Sequence, residues 1–185
     1  MFHSTFGSLI TCSLLMLSSL LMHDVAWAQR DAGAKARGDF TFYARSGGSH
    51  MNAAHAHASH YHSYLGRTQA VSSRVMRMSG STINHHLELS QQHLDALHEH
   101  FEATEDAASL AAVDEIEKQL AQAKHHHAIA ESRARTSPED IAAIQESVEQ
   151  LRVSLDQAIH AYADLLSRHD VDIQRVPVPE QAKSR

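Results

Sequence analysis

From residue 141 onward the apolar positions form an unbroken series. Ile141, Ile144, Val148, Leu151, Leu155, Ala158, Tyr162, Leu165 and His169 step alternately by three and four residues. This is a heptad seam, and it predicts an amphipathic helix with left-handed, coiled-coil-like packing. Ser137-Pro138-Glu139-Asp140 supplies the start: an N-cap, a proline at the first helical position and acids in the first turn. Val176-Pro177-Val178-Pro179 stops the helix in an extended tail.

Two more helices precede it. Ile83, Leu87, Leu94, Leu97 and Phe101 share one helical face, predicting a helix from about Leu65–Gln69 to Thr104. Ser79-Gly80-Ser81 interrupts its strong helix formers and divides it if any segment does. Val113, Ile116, Leu120, Ala123, His127 and Ala130 mark a helix over roughly Ala107–Arg135. The phase of the first seam does not continue into the second: it would need apolar residues at 108, 111 and 115 but meets Glu115. That break predicts a turn near residue 106, one continuous helix being the alternative.

The expected fold class is therefore all-α, an up-down-up three-helix bundle or antiparallel coiled coil over residues 65–172, followed by a flexible tail over 173–185. Residues 29–64, rich in Ala, Gly, Ser, His and Arg, show no sustained periodicity and are expected to be a largely disordered, His-rich N-terminal segment. Phe40-Thr41-Phe42-Tyr43 is its one apolar anchor, and Gly48-Ser49-His50-Met51 matches a vector-derived tetrapeptide by coincidence. Three short seams make a small core, which favours self-association into a homo-oligomer.

Composition adds a compartment. An apolar run from about Phe6 to Met22 precedes Ala26-Trp27-Ala28, an A-x-A cleavage pattern, so residues 1–28 read as a secretory signal peptide despite an n-region without Lys or Arg. The one cysteine, Cys12, lies within that run, so cleavage leaves no disulfide and no Cys-based metal site. No later stretch is apolar enough for an integral membrane segment. The expected location is periplasmic or secreted.

Charge then narrows the chemistry. All sixteen Lys and Arg, and all but one of the 22 Asp and Glu, lie after residue 28. The mature chain carries about −5 with neutral histidine, which disfavours nucleic acid as a partner. Fifteen of the seventeen histidines lie there too, and protonating them all would bring the charge to about +10.

The histidines are clustered. His55, His57, His60 and His62 fall within eight residues, and in an extended segment His-x-His places alternate rings on one side. Such a tract suits Zn²⁺, Cu²⁺ or Ni²⁺, and equally describes a low-complexity tail. A repeat of histidine, apolar residue and acid recurs every seven residues at His86-Leu87-Glu88, His93-Leu94-Asp95 and His100-Phe101-Glu102. Seven helical residues rise about 10.5 Å, too far for two imidazoles to share one ion. This repeat therefore reads as a titratable rim beside the seam, or as a polar position that tolerates histidine. His125-His126-His127 point about 100° apart on a helix, but His127 lies on the seam with Glu131 one turn later. Folding the first two helices about residue 106 brings His85 and His86 level with His125, His126 and His127. Folding the next pair brings Glu146 and Glu149 to the same level. That layer is the more ordered candidate metal site.

Enzyme signatures are missing: no Gly-rich phosphate loop, G-x-S-x-G, H-E-x-x-H or C-x-x-C-H occurs, and no pair of E-x-x-H motifs suggests a di-iron bundle. The sequence thus predicts an exported, non-enzymatic helical protein that binds divalent metal (Zn, Cu or Ni) as a buffer or sensor, with no organic cofactor. The alternatives are an envelope structural or interaction module that self-associates through its seams, and a pH-responsive bundle loosened when rim histidines protonate.

Overall fold

The computed structural model describes residues 39–171. The expected signal segment 1–28 and the expected tail 173–185 lie outside the described residues. The chain divides into two compact units, Met1–Phe40 and Thr41–Arg185, and the packing described here belongs to the second.

The described residues are all-helical, with 86% of them in four helices and no strand among them. These are α1 over residues 39–65, α2 over Ser73–Ala103, α3 over Ala107–Thr136 and α4 over Ile141–Ser167. None of these helices is long and apolar enough to cross a membrane.

The last three helices follow the predicted seams. Ile83, Leu87, Leu94, Leu97 and Phe101 are buried on α2, and Val113, Ile116, Leu120, Ala123 and Ala130 on α3. On α4, Ile144, Val148, Leu151, Leu155, Ala158, Tyr162 and Leu165 are all fully buried. The turn falls at Thr104–Asp106, where Glu105 adopts φ 54° and Asp106 caps α3 by accepting from the Ser109 N–H at 3.0 Å. Two local expectations change. Asp140, rather than Ser137, caps α4, accepting from the Ala143 N–H at 3.2 Å. Gly80 does not divide α2: it is a buried contact point, where a Cβ would strike the Glu131 carboxylate.

The larger correction is α1. Where the sequence predicts a disordered segment over 29–64, residues 39–65 are helical, and the three expected helices become four. The reason is a seam of small residues. Ala44, Gly47, Met51, Ala54, Ala58, Tyr61 and Leu65 are all buried and step by three and four, the α4 pattern written mostly in alanine and glycine. Small residues let the backbone of α1 approach its neighbours closely. A Cβ on Gly47 would lie 2.5 Å from the Tyr162 hydroxyl and 3.2 Å from the His93 Cβ.

Contacts between helices are spread along their lengths. Tyr162 of α4 donates its hydroxyl to the Ala44 carbonyl of α1 at 2.8 Å, and Arg152 of α4 reaches the Ser59 hydroxyl of α1 at 3.0 Å. Gln91 of α2 meets Glu117 and Lys124 of α3 at 3.1 and 3.2 Å. Arg133 of α3 donates to the Ala143 carbonyl at 2.6 Å and the Ser147 hydroxyl at 2.9 Å on α4. One apolar cluster joins Tyr61 and Leu65 to Ala130, Ala134, Ile144 and Val148, with Val75 and Met76 packed against it. The Val71 N–H bonds the Pro138 carbonyl at 2.8 Å, tying the α1–α2 loop to the α3–α4 loop.

Candidate functional site

Helix formation in α1 redistributes its histidines. In an extended segment His55, His57, His60 and His62 would gather; on a helix they separate by about 100° per residue. His55 and His62, seven apart, belong to the side packed on α4. His55 is buried, and its protonation is disfavoured first by burial and then by Arg152. His62 Nε2 lies 3.5 Å from Glu149, which also pairs with Arg152, and burial outweighs this carboxylate in lowering the pKa of His62. His57 turns instead towards α2, and His60 is exposed.

The predicted layer of His85, His86, His125, His126 and His127 is not assembled either. Its axial register is close: His98 lies 3.7 Å from Asp114, so α2 and α3 are level about residue 106 as the folding argument requires. Rotation about the helix axes disperses it. His85 and His125 are exposed, His86 faces α1, and His127 is buried against the Gly80 backbone. Glu149 is engaged by Arg152 and His62. Among the described residues no group of three or more His, Cys, Asp or Glu side chains could hold one ion.

What the fold does assemble is a ladder of imidazoles along α1 and α2. His50 and His57 project from α1 one heptad apart; His86 and His93 project from α2 with the same spacing. The two pairs interdigitate in the order His93, His50, His86, His57. His93 and His50 are parallel within 2° with ring centroids 5.5 Å apart. His50 and His86 follow at 5.4 Å and 29°, and His86 and His57 at 5.5 Å and 12°. Phe42 and Tyr43 cover the His93 end at 6.0 and 5.9 Å, and His85 flanks His86 at 5.6 Å. Between His50 and His86 the two Nδ1 atoms are 3.2 Å apart, the distance of an N–H···N hydrogen bond with one ring donating and the other accepting.

The electrostatics of this ladder are one-sided. Burial is the first cause holding the pKa of His50, His86 and His93 below the ordinary imidazole value. The Coulombic contributions all come from other histidines and push the same way: His85 on His50, His50 on His93, and His50, His57 and His85 on His86. Three rings of the ladder, His50, His86 and His93, are thus held towards their neutral form.

His50 is the functional candidate that the sequence reading missed, whereas His93 belongs to the heptad repeat read as a titratable rim. Their signal lay in spacing, since two His pairs seven residues apart on consecutive antiparallel helices are placed to interleave.

Comparison of the chain with family models, curated proteins and solved structures finds no match.

Proposed function

We propose that this chain is an exported, non-enzymatic helical module whose packing responds to acid. The observation that carries this reading is the four-ring ladder of His93, His50, His86 and His57 between α1 and α2. At neutral pH His50, His86 and His93 favour the uncharged form, the four rings stack, and His50 and His86 share the Nδ1–Nδ1 hydrogen bond. In acid below their lowered pKa values, His50, His86 and His93 each take a second N–H. Two imidazolium rings can only donate, so the His50–His86 bond is lost when both are charged. Unit charges about 5.5 Å apart also repel by roughly 0.8 kcal/mol even at the dielectric constant of water, and by more near a protein surface.

The sign follows from the direction of the shifts. Histidines whose folded pKa lies below the unfolded value bind fewer protons folded than unfolded. Their stabilisation is full above about pH 6.5 and is lost as pH falls through the folded values. Release of α1 from its neighbours, begun at the α2 side, would uncover its small-residue seam, a surface suited to another helix or another copy of the chain. The three-helix expectation becomes, in this proposal, a core of α2, α3 and α4 with α1 as the acid-released member.

The test is far-UV circular dichroism and urea unfolding of the full chain between pH 7.5 and 4.5, beside a variant with His50, His57, His86 and His93 all changed to Gln. The wild type should lose stability below pH 6.5 more steeply than the variant. Superimposable pH profiles would remove the ladder as the sensor.

A further inference from the structure

The groove that holds α1 is shaped for that helix in particular. Gly47 sits so close to Tyr162 of α4 that a Cβ there would lie 2.5 Å from the hydroxyl and 3.2 Å from the ring carbon bearing it. The same hydroxyl donates to the Ala44 carbonyl at 2.8 Å. Further along α4, Arg152 donates to the Ser59 hydroxyl at 3.0 Å, and Glu149 lies 3.5 Å from His62. On the α2 side, His86 and His93 interleave with His50 and His57. An ordinary amphipathic helix carries leucine-sized side chains along its apolar stripe, where α1 has Ala44, Gly47, Ala54 and Ala58. Such a helix would hold the Tyr162 hydroxyl off the backbone and would supply no imidazoles for the ladder.

Among the described residues, α1 is joined to the other helices through residues 66–72 alone. Three backbone bonds of this linker reach back into α1, from Gly66 to His62, Arg67 to Tyr64 and Thr68 to Leu65. One backbone bond ties it to the far loop, from the Val71 N–H to the Pro138 carbonyl at 2.8 Å. Residues 66–72 contain no proline, so the linker can straighten, and seven extended residues span about 25 Å. We propose that a released α1 docks in the groove of a second copy, whose own α1 docks in return, giving a two-fold domain-swapped dimer. This rests on the acid-release reading and names the partner of the surface that release uncovers. Each α1 contact of the monomer recurs in the dimer, the histidine ladder included, so the fit that disfavours other helices favours exchange between copies. Within one chain the linker holds α1 at an effective concentration in the millimolar range. Exchange therefore requires release at a comparable protein concentration. Return to neutral pH rebuilds the ladder and holds whichever arrangement was reached.

The experiment takes the full chain to pH 4.5 at a concentration on the order of 1 mM, returns it to pH 7.5, and sizes it by chromatography with light scattering. A dimer that survives dilution should appear. A tenfold more dilute acid step should lower the dimer-to-monomer ratio about tenfold by mass action. In dimers formed from a mixture of ¹³C-labelled and unlabelled chains, isotope-filtered NOE spectra should connect the Gly47 α-protons of one chain to the Tyr162 ring of the other. A parallel sample is opened in urea at pH 7.5 and refolded at the same concentration. Swapped dimer from urea but not from acid would uphold the exchange and count against acid release. Monomer alone after both treatments would overturn the exchange, as would a dimer whose Gly47–Tyr162 contact stays within each chain. Either of these leaves the acid reading standing if amide exchange shows α1 released at low pH.

Discussion

The two long seams of this molecule are built from opposite materials. The seam of α4 is Ile, Val and Leu with one Ala and one Tyr, all fully buried from Ile144 to Leu165. α1 instead carries a seam of mostly small residues, met by Tyr162 of α4, and a flanking row of imidazoles at helical spacing that faces α2. Both seams have the same three-four step, so both define a helix and a face. They differ in what holds them. Apolar burial does not depend on pH, whereas an imidazole row is cohesive only while its rings are neutral. The lesson is that periodicity fixes geometry, and residue chemistry decides under which conditions that geometry persists.

The comparison can be broken most heavily on the apolar side. Leu151→Ala should cost about 2–5 kcal/mol, the range for a fully buried leucine, and urea midpoints should drop similarly at pH 7.5 and pH 5. A loss confined to acid would mean that the α4 seam is not the pH-independent one.

Gly47→Ala should cost about 1–3 kcal/mol by overpacking, because the new methyl meets the Tyr162 hydroxyl, itself held on the Ala44 carbonyl. Thermal melts with and without Tyr162→Phe check this. Tyr162→Phe alone should cost about 0.5–1.5 kcal/mol for its hydrogen bond and should relieve part of the Gly47→Ala penalty. Strict additivity would show that the two side chains do not compete for space.

A gentler change sharpens the other side. His50→Gln removes the central ring, the one that touches both His93 and His86. It should shift the acid transition to lower pH and leave unfolding at pH 7.5 little changed. Raising NaCl towards 1 M should act in the same direction in the wild type, because exposed like charges are screened within a few ångströms. An acid transition insensitive to salt would point away from repulsion between rings.

The parts of the fold legible in the sequence are those carried by large apolar residues. Ile83 to Phe101, Val113 to Ala130 and Ile144 to Leu165 stand out by size as well as spacing, and the structure buries them as a helical code requires. α1 was hidden because Ala44, Gly47, Ala54 and Ala58 contribute little to hydropathy, although their spacing is the same. The histidine sites were less legible for a related reason. Axial register between α2 and α3 can be counted from the turn, and His98 opposite Asp114 agrees with that count. Rotation about each axis needs the identity of all neighbours, and here it turns His86 to α1, His127 inward and His125 to solvent. Of the expected site residues, His127 is the one that lies in the core with an unpartnered ring nitrogen, as its place on the seam implies.

The central claim is that acid loosens one seam and spares the other. Amide hydrogen exchange of the full chain at pH 7.5 and 5.5, corrected for intrinsic rates, tests it most directly. The account predicts that protection falls in α1 around His50 and His57 and on the facing stretch of α2 from His86 to His93, while α3 and the Ile144–Leu165 stretch of α4 retain theirs. A uniform loss across all four helices, or no loss in α1, would contradict it.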